Sequence, residues 1–223
     1  LYHDLDPQKL ENIHALSDFD TVGTRKLLAN DYVYQIKRMA HPRVHSPIAG
    51  LMRKYILGLD EFAKELSEIE KDDTTSGYID LNRFELPGAR VVDDTTFEIT
   101  LKQKYPQFIY WLSMSFFAPM PWEADYFYSQ EGMTDKNITL DWYPVGTGPF
   151  MLSENNPNRR MVLKRNPNFR GEAYPSEGEA GDLESGILED AGKNMPFIDT
   201  AIYSLEKESI PAWNKFLQGY YDT

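Results

Sequence analysis

The sequence predicts a protein of the α/β or α+β class, and three observations carry this prediction. Apolar residues recur at helical spacing between residues 30 and 71. Apolar and polar residues alternate in a strand-like run over residues 96–101. Strand-like and helical segments then follow one another irregularly up to residue 223. Such a mixture is typical of domains that pack helices against sheets.

The first predicted helix starts at Asn30 or Asp31, either of which can cap it. Its apolar residues recur at helical spacing: Val33, Ile36 and Met39. Basic residues in its last turn suit the helix dipole. His41 and Pro42 end it, and residues 41–45 are expected to form a solvated loop.

Two further helices are predicted before residue 72. Ser46 and Pro47 read as the cap and first position of one helix, which Gly58 interrupts. The next helix is amphipathic as far as Lys71, with a charged and solvated face. Residues 72–77 form a cluster of turn-forming residues.

Residues 88–101 predict a β-hairpin with one buried face. Two β-rich runs flank a turn at Asp93 and Asp94. Phe97, Ile99 and Leu101 alternate with polar residues, so they are expected to face the core.

An aromatic stretch follows, in which ten of the 24 residues at positions 105–128 are aromatic. Pro106 suits the first turn of a helix, which is predicted to run to about Met114. Residues 118–121 (APMP) then force an extended path. Most of these rings are expected to pack in the core, and some can line a concave site for an organic ligand.

Gly146, Thr147 and Gly148 lie between two prolines, which predicts a tight turn with glycines free to adopt positive φ. The segment lacks the Lys-Ser/Thr pair of a phosphate-binding P-loop and the third glycine of a dinucleotide fingerprint. Phosphate binding is therefore not predicted here.

The last 74 residues predict strands, an acidic loop and a closing helix. Two strands, at residues 150–152 and 161–163, are joined by an asparagine-rich turn. Residues 172–194 predict an exposed acidic loop without calcium-loop spacing. A strand over residues 197–205 precedes a helix that starts at Ser209.

Composition excludes several classes of function. The net charge of −12 argues against nucleic acid as a partner, because phosphate binding requires a basic surface. The sequence has no window of about 20 apolar residues that could span a membrane. It has no cysteine, no nucleophile elbow and no HExxH motif, so no catalytic residue, metal site or cofactor is predicted. Since the chain starts at Leu1 without a signal-like leader, we expect a piece of a longer chain with any export signal upstream.

Three stretches, in order, resemble one family, the solute-binding proteins of ABC importers in the oligopeptide and dipeptide class. Residues 31–42 (DYVYQIKRMAHP) resemble its T-A-E-D-V-V-Y-S-x-x-R-x-x-D-P helix. Residues 93–121 are similar to its D-D-x-T-x-x-I-x-L…P-x-F…P segment, and residues 145–168 to its G-T-G-P-Y-x-L…L-x-R-N-P-x-Y signature. The closing LQGYYDT stands where that family has x-F-x-x-G-E-x-D. The sequence departs from the pattern at Leu28, where the family often has a capping threonine, and in residues 172–194, which resemble an insertion.

The resemblance implies part of a two-lobed periplasmic-binding-protein type II fold, with a mixed sheet and flanking helices. Residues 1–19 would be an irregular lead-in, residues 20–143 a small α/β subdomain of the first lobe, and residues 144–223 part of that lobe's main sheet. The second lobe would be absent, so these 223 residues alone are expected to bind solute more weakly than micromolar.

The resemblance also implies capture without chemistry. A small organic solute, with an oligopeptide as the first expectation, would sit between the lobes of a monomeric periplasmic or extracellular, membrane-anchored receptor and be delivered to an ABC transporter permease. Residues implied near the ligand lie in three places: Pro47 and Ile48; Met114, Ser115 and Phe116; and Gly146 and Thr147 at the lobe boundary.

Two alternatives remain open from the sequence, namely a peptide or ester hydrolase and a protein interaction module. Turnover of a peptide mixture would favour the hydrolase. Stable capture of a macromolecule without the permease would favour the interaction module. Stabilisation of the full-length protein by peptides would favour the receptor.

Overall fold

The computed structural model describes residues 11–19, 23–72 and 78–222, except for the side chain of Asp72. The chain divides into two compact units, Leu1–Val145 and Gly146–Thr223. Within the predicted lead-in, residues 11–19 contain a short 3-10 helix, Leu16–Asp18, and residues 1–10 lie outside the described part. Most of the predicted turn cluster, residues 73–77, also lies outside it.

The first unit contains five α-helices and a hairpin among its described residues. The helices are α1 (Ala29–Met39), α2 (Ala49–Tyr55), α3 (Leu59–Asp72), α4 (Phe108–Trp111) and α5 (Trp122–Ser129). The strands are β1 (Ala89–Asp93) and β2 (Thr96–Ile99).

The N-cap of α1 is Leu28, two residues before Asn30, the nearer of the two predicted caps. The Leu28 side chain cannot accept a hydrogen bond. Instead, the Asp31 carboxylate in the first turn accepts the N–H of Leu28 at 2.9 Å, and the N–H of Ala29 donates to the carbonyl of Asp94 at 2.8 Å. The helix start is thus fixed by these two contacts rather than by a capping side chain.

The prediction for Pro47 as the first helical position is wrong. The carbonyl of Ile48 accepts the N–H groups of Leu51 and Met52, both at 3.0 Å, so α2 begins at Ala49 with Ile48 as its N-cap. Gly58 interrupts the helical run as predicted, with φ of 74°, and α3 follows it.

The predicted solvated loop at residues 41–45 is also only partly right. Residues Pro42–Val44 form a 3-10 helix, and His41 at its N-cap is buried. The Nδ1 atom of His41 accepts the N–H of Arg43 at 3.2 Å. Exposed histidine is found at His45.

The predicted hairpin is confirmed, with β1 and β2 antiparallel. Asp93 pairs with Thr96, so Asp94 and Thr95 form the turn, one residue later than the sequence suggested. In β2, Phe97 and Ile99 are half-buried, whereas Thr96 and Glu98 are exposed, as the alternation predicted. Gly88 precedes the hairpin, and a Cβ there would lie 2.2 Å from the carbonyl oxygen of Leu57.

The aromatic stretch differs from its prediction in two ways. Its first helix is a single turn, α4, followed by a 3-10 helix, Ser115–Phe117. After the extended prolines the chain forms a second helix, α5, that the sequence analysis missed, with Pro121 as its N-cap. Proline suits this place because its missing N–H costs no helical hydrogen bond.

Two hydrophobic clusters hold the first unit together. The larger packs α1 against α2, α3, the hairpin and α4, and its fully buried members include Tyr34, Ile36, Met52, Ile56, Leu59 and Leu66. The smaller surrounds α5 and contains Ala124, Phe127, Tyr128, Met133 and Ile138. At about 2 kcal/mol for each buried large side chain, burial is the main term that favours this fold.

The second unit is built on a three-stranded antiparallel sheet in the order β3-β4-β7. Its elements are β3 (Phe150–Asn156), β4 (Arg160–Arg165), β5 (Glu172–Ala173), β6 (Asn194–Met195), β7 (Thr200–Ser204) and α6 (Ser209–Leu217). The predicted strands and closing helix are confirmed. The β5–β6 ribbon, which brackets the acidic residues, was not predicted. Across the described ranges, no helix combines the length and hydropathy that crossing a membrane requires.

Candidate functional site

α1 holds the segment at residues 114–120 at two points, and this segment includes three of the predicted ligand-binding residues. The Nε2 atom of Gln35 donates to the carbonyl of Phe116 at 2.9 Å. The N–H of Met120 donates to the carbonyl of Asp31 at 3.0 Å. Because α1 lies in the main core, this segment is held on a rigid support.

A run of aromatic contacts supports the same segment from the inside. Tyr55 stacks on Tyr105 with ring centroids 4.4 Å apart, and Tyr105 meets Phe108 edge-on at 6.4 Å. Phe108 meets Phe117 edge-on at 6.1 Å, and the Nε1 atom of Trp111 donates to the Tyr105 hydroxyl at 3.1 Å. These rings pack in the core, as expected for most of the aromatic stretch.

The opposite face of α4 is exposed and apolar. We call it the α4 surface; its residues and exposed fractions are Ile109 (68%), Tyr110 (71%), Leu112 (39%) and Met114 (48%). Phe108 and Trp111 are three residues apart and face inward, which turns Ile109 and Tyr110 outward. Of this surface only Met114 was predicted from the sequence, although the spacing of Phe108 and Trp111 could have indicated Ile109 and Tyr110.

The other predicted ligand-binding residues of the first unit differ in solvent exposure. Pro47 and Ser115 are exposed, whereas Ile48 and Phe116 are half-buried. Both half-buried side chains pack against the larger hydrophobic cluster. The structure therefore brings Ile48 and Phe116 onto one core and leaves Pro47, Met114 and Ser115 facing solvent.

Gly146, Thr147 and Gly148 are exposed at the start of the second unit. The expectation of positive φ is wrong, because neither glycine has φ in the left-handed region, and a Cβ at either would meet nothing within 4 Å. The turn is instead fixed by Asn166, whose Nδ2 donates to the carbonyl of Gly148 at 2.9 Å. The backbone N–H of Asn166 donates to the carbonyl of Pro149 at 2.8 Å.

A polar network ties α1 to α5. The Tyr34 hydroxyl and the Nε atom of Arg38 each donate to Asp125, at 2.8 Å. Burial, with the nearby Asp125 carboxylate, raises the pKa of Tyr34 far above its ordinary value, and burial raises the pKa of Tyr78 to about 12. Both phenols therefore stay protonated at neutral pH, and the Tyr34 hydroxyl acts as a donor to Asp125 rather than as a base.

No group of three or more His, Asp or Glu side chains in the described part of the chain is arranged to hold a metal ion. The exposed site is instead made of apolar and small polar side chains. Such a surface suits packing against another organic or protein surface.

The fold is that of part of a periplasmic binding protein. The crystal structure of a periplasmic oligopeptide-binding protein (OppAIV) from Borrelia burgdorferi superposes with a TM-score of 0.59, at 20% identity, over 88% of this chain and 31% of that chain. The OppA structure from Burkholderia pseudomallei gives a TM-score of 0.57 at 18% identity, over 88% of this chain and 30% of that chain. These neighbours have the two-lobed fold, and the likeness confirms the predicted fold class.

Sequence comparison assigns the family. Residues 23–222 match the bacterial extracellular solute-binding proteins, family 5 Middle, and the chain belongs to this family. The periplasmic oligopeptide-binding protein OppA of Escherichia coli K12 is 25% identical over 216 residues, which cover 91% of this chain and 35% of that protein. The chain thus spans about a third of the length of this curated relative. The resemblance inferred from the sequence motifs is confirmed.

Proposed function

We propose that this chain forms part of the first lobe of a periplasmic receptor that binds oligopeptides and delivers them to an ABC transporter permease. The observation that carries the proposal is the family match over residues 23–222. Relatives named as oligopeptide-binding proteins support the peptide as the solute.

In this proposal residues 20–143 are the small subdomain of the lobe, and residues 144–223 belong to its main sheet. The second lobe and the remainder of the sheet come from other parts of a protein of the relatives' length. Exposed apolar side chains of β7 and α6 support this, because they suit a covering surface: Ile202 (57%), Tyr203 (61%), Ile210 (74%), Trp213 (59%) and Leu217 (64%).

The ligand-binding residues proposed in the first unit are Pro47, Ile48, Met114, Ser115 and Phe116. Their role is to present a rigid, mostly apolar wall to the peptide. Rigidity matters because a wall that is already ordered loses little conformational entropy when the ligand binds.

The α4 surface extends this wall, since Ile109 and Tyr110 adjoin the segment that carries Met114. Gly146 and Thr147 are proposed to lie at the lobe boundary. Open space around Gly146 and Gly148 supports this, because a Cβ at either position would meet nothing within 4 Å in the described chain.

Binding in this proposal is not catalytic. Lobe closure removes water from the peptide, and the bound form is what the permease recognises. The peptide leaves intact, and the receptor acts as a monomer in the periplasm or outside the cell, held there by an upstream signal or anchor.

The test is thermal unfolding of the full-length protein with and without a library of short peptides, with mass spectrometry of the peptides afterwards. The proposal predicts a higher unfolding midpoint and intact peptides, because a ligand that binds only the folded state stabilises it. Cleaved peptides would favour a hydrolase. No stabilisation, together with stable capture of a macromolecule, would favour an interaction module.

A further inference from the structure

A cleft in the first unit is lined by none of the residues proposed for peptide binding. It has a volume of about 310 Å³ and is lined by Tyr78, Asp80, Arg83, Trp122 and Tyr126. This volume is at the lower end of those found for small-molecule sites, about 300–1,000 Å³.

Three aromatic rings form one part of this cleft. Trp122 and Tyr126 are four residues apart on α5, so their side chains are neighbours on one face of the helix. The rings of Tyr126 and Tyr78 meet edge-on, with centroids 5.0 Å apart and an interplanar angle of 65°. The cleft therefore has aromatic walls in more than one plane, and Trp122 is 38% exposed.

Two opposite charges line the other part of the cleft. Asp80 caps the 3-10 helix Leu81–Arg83, where its Oδ1 atom accepts the N–H of Asn82 at 3.1 Å. Its Oδ2 atom lies 3.3 Å from the Nε atom of Arg83, whose side chain is 80% exposed. A carboxylate next to the rings and a guanidinium directed to solvent are thus held side by side.

We propose that this cleft binds a small zwitterion that carries a quaternary ammonium group and a carboxylate. Aromatic walls attract a quaternary ammonium through the negative faces of the rings, and Asp80 adds a full negative charge. Arg83 can bind the ligand carboxylate with paired N–H donors.

The charges of the protein select against simpler ions. An anion alone would meet the field of a chain with net charge −12, and a cation alone would meet Arg83. A zwitterion satisfies both charges. This site stands on the first unit alone and does not depend on peptide capture.

The experiment is a calorimetric titration of the protein with glycine betaine. Its neutral-headed isostere, 3,3-dimethylbutanoate, and the carboxylate-free cation choline are titrated in parallel. We expect saturable binding of glycine betaine, with both comparison compounds at least about threefold weaker, as a cation–π contact and a charged pair at a partly exposed site each predict. Absence of glycine betaine binding, or equal binding of the isostere, would overturn the proposal.

Two variants and one control locate the site. Trp122→Leu keeps an apolar side chain but removes the ring, so glycine betaine should bind about threefold more weakly. Arg83→Gln, at an exposed side chain outside the core, should make choline and glycine betaine bind equally well. This variant tests the site even if Trp122→Leu does not fold. Trp213→Leu, in α6 of the other unit, is the control and should leave the affinity for glycine betaine unchanged. A loss of binding in Trp213→Leu equal to that in Trp122→Leu, or an unchanged preference in Arg83→Gln, would refute the assignment.

Discussion

Arg25 and Asp31 form a bidentate ion pair, in which two guanidinium nitrogens donate to the two carboxylate oxygens at 2.6 and 2.8 Å. The same guanidinium donates twice more to Glu123, at 2.7 and 2.8 Å. One side chain thus joins the start of α1 to the first turn of α5. Asp31 is only 2% exposed, so these partners replace the water that would otherwise hydrate its carboxylate.

Replacement of Asp31 by asparagine should destabilise the protein by about 1.5–3 kcal/mol, because it removes charge-assisted hydrogen bonds at a buried position. Chemical denaturation measures this change. The matched control is Asp60→Asn in the exposed pair with Lys64, for which we expect no measurable loss of stability. Equal losses in the two variants would contradict a structural role for the Arg25 pair.

Two glycines should respond in opposite directions to alanine. Gly88→Ala should destabilise by about 1–3 kcal/mol, because the new Cβ would lie 2.2 Å from the carbonyl oxygen of Leu57 and 2.6 Å from the side chain of Ile56. Gly50→Ala, in α2 with nothing within 4 Å of the new Cβ, should stabilise by about 0.5–1 kcal/mol. Thermal unfolding of both variants checks this pair, and a neutral Gly88→Ala would show that the approach of the two backbones is looser than described.

The buried His41 should make stability depend on pH. Burial lowers the pKa of His41 from its ordinary value of 6.5, so the folded state disfavours the charged imidazole. Below about pH 6.5 the unfolded chain then binds a proton that the folded chain does not, and stability falls as the pH falls towards the folded-state pKa.

His41→Asn can still accept the N–H of Arg43 but does not titrate, so it should flatten the stability profile between about pH 7 and pH 5.5. The free energy of unfolding measured across that interval tests this. His45→Asn is the control, because its side chain is exposed and asparagine tolerates its φ of 48°. A slope that survives in His41→Asn would assign the pH dependence to another group.

Substitutions on the two faces of α4 should differ in their effect on stability. Phe108→Ala removes a ring that is 6% exposed and should cost about 3–5 kcal/mol. Tyr110→Ser, at a side chain that is 71% exposed, should stay within about 0.5 kcal/mol of the parent. A large loss of stability in Tyr110→Ser, seen by denaturant titration, would place Tyr110 in the core and remove the α4 surface from the account.

Local patterns predicted the regular elements well. The hairpin followed from alternation at Phe97 and Ile99, and α6 followed from Ser209 and its apolar spacing. Helix starts were less accurate because distant groups decide them: Asp94 accepts the first N–H of α1, and no local pattern contains that contact. α5 was missed because Pro119 and Pro121 suggested a continued extended path, although proline is also suited to a helix start.

The site was predicted unevenly for a related reason. Met114, Ser115 and Phe116 came from family resemblance, which gives positions but not which side chains face outward. Tyr110 could have been found from the inward spacing of Phe108 and Trp111. Outside the site, the burial of His41 could not have been predicted, because it depends on packing by elements elsewhere in the chain.

The central claim is that the wall proposed for peptide binding, with the α4 surface that extends it, contacts a captured peptide. The most direct measurement is calorimetric affinity of the full-length protein for a peptide that stabilises it, compared between the parent and a Tyr110→Ser, Met114→Ser double variant. Ile187→Ser, at an apolar side chain that is 55% exposed in the acidic segment, is the control. We expect the double variant to bind at least about tenfold more weakly and the control to bind like the parent. Unchanged affinity in a folded double variant would contradict the claim.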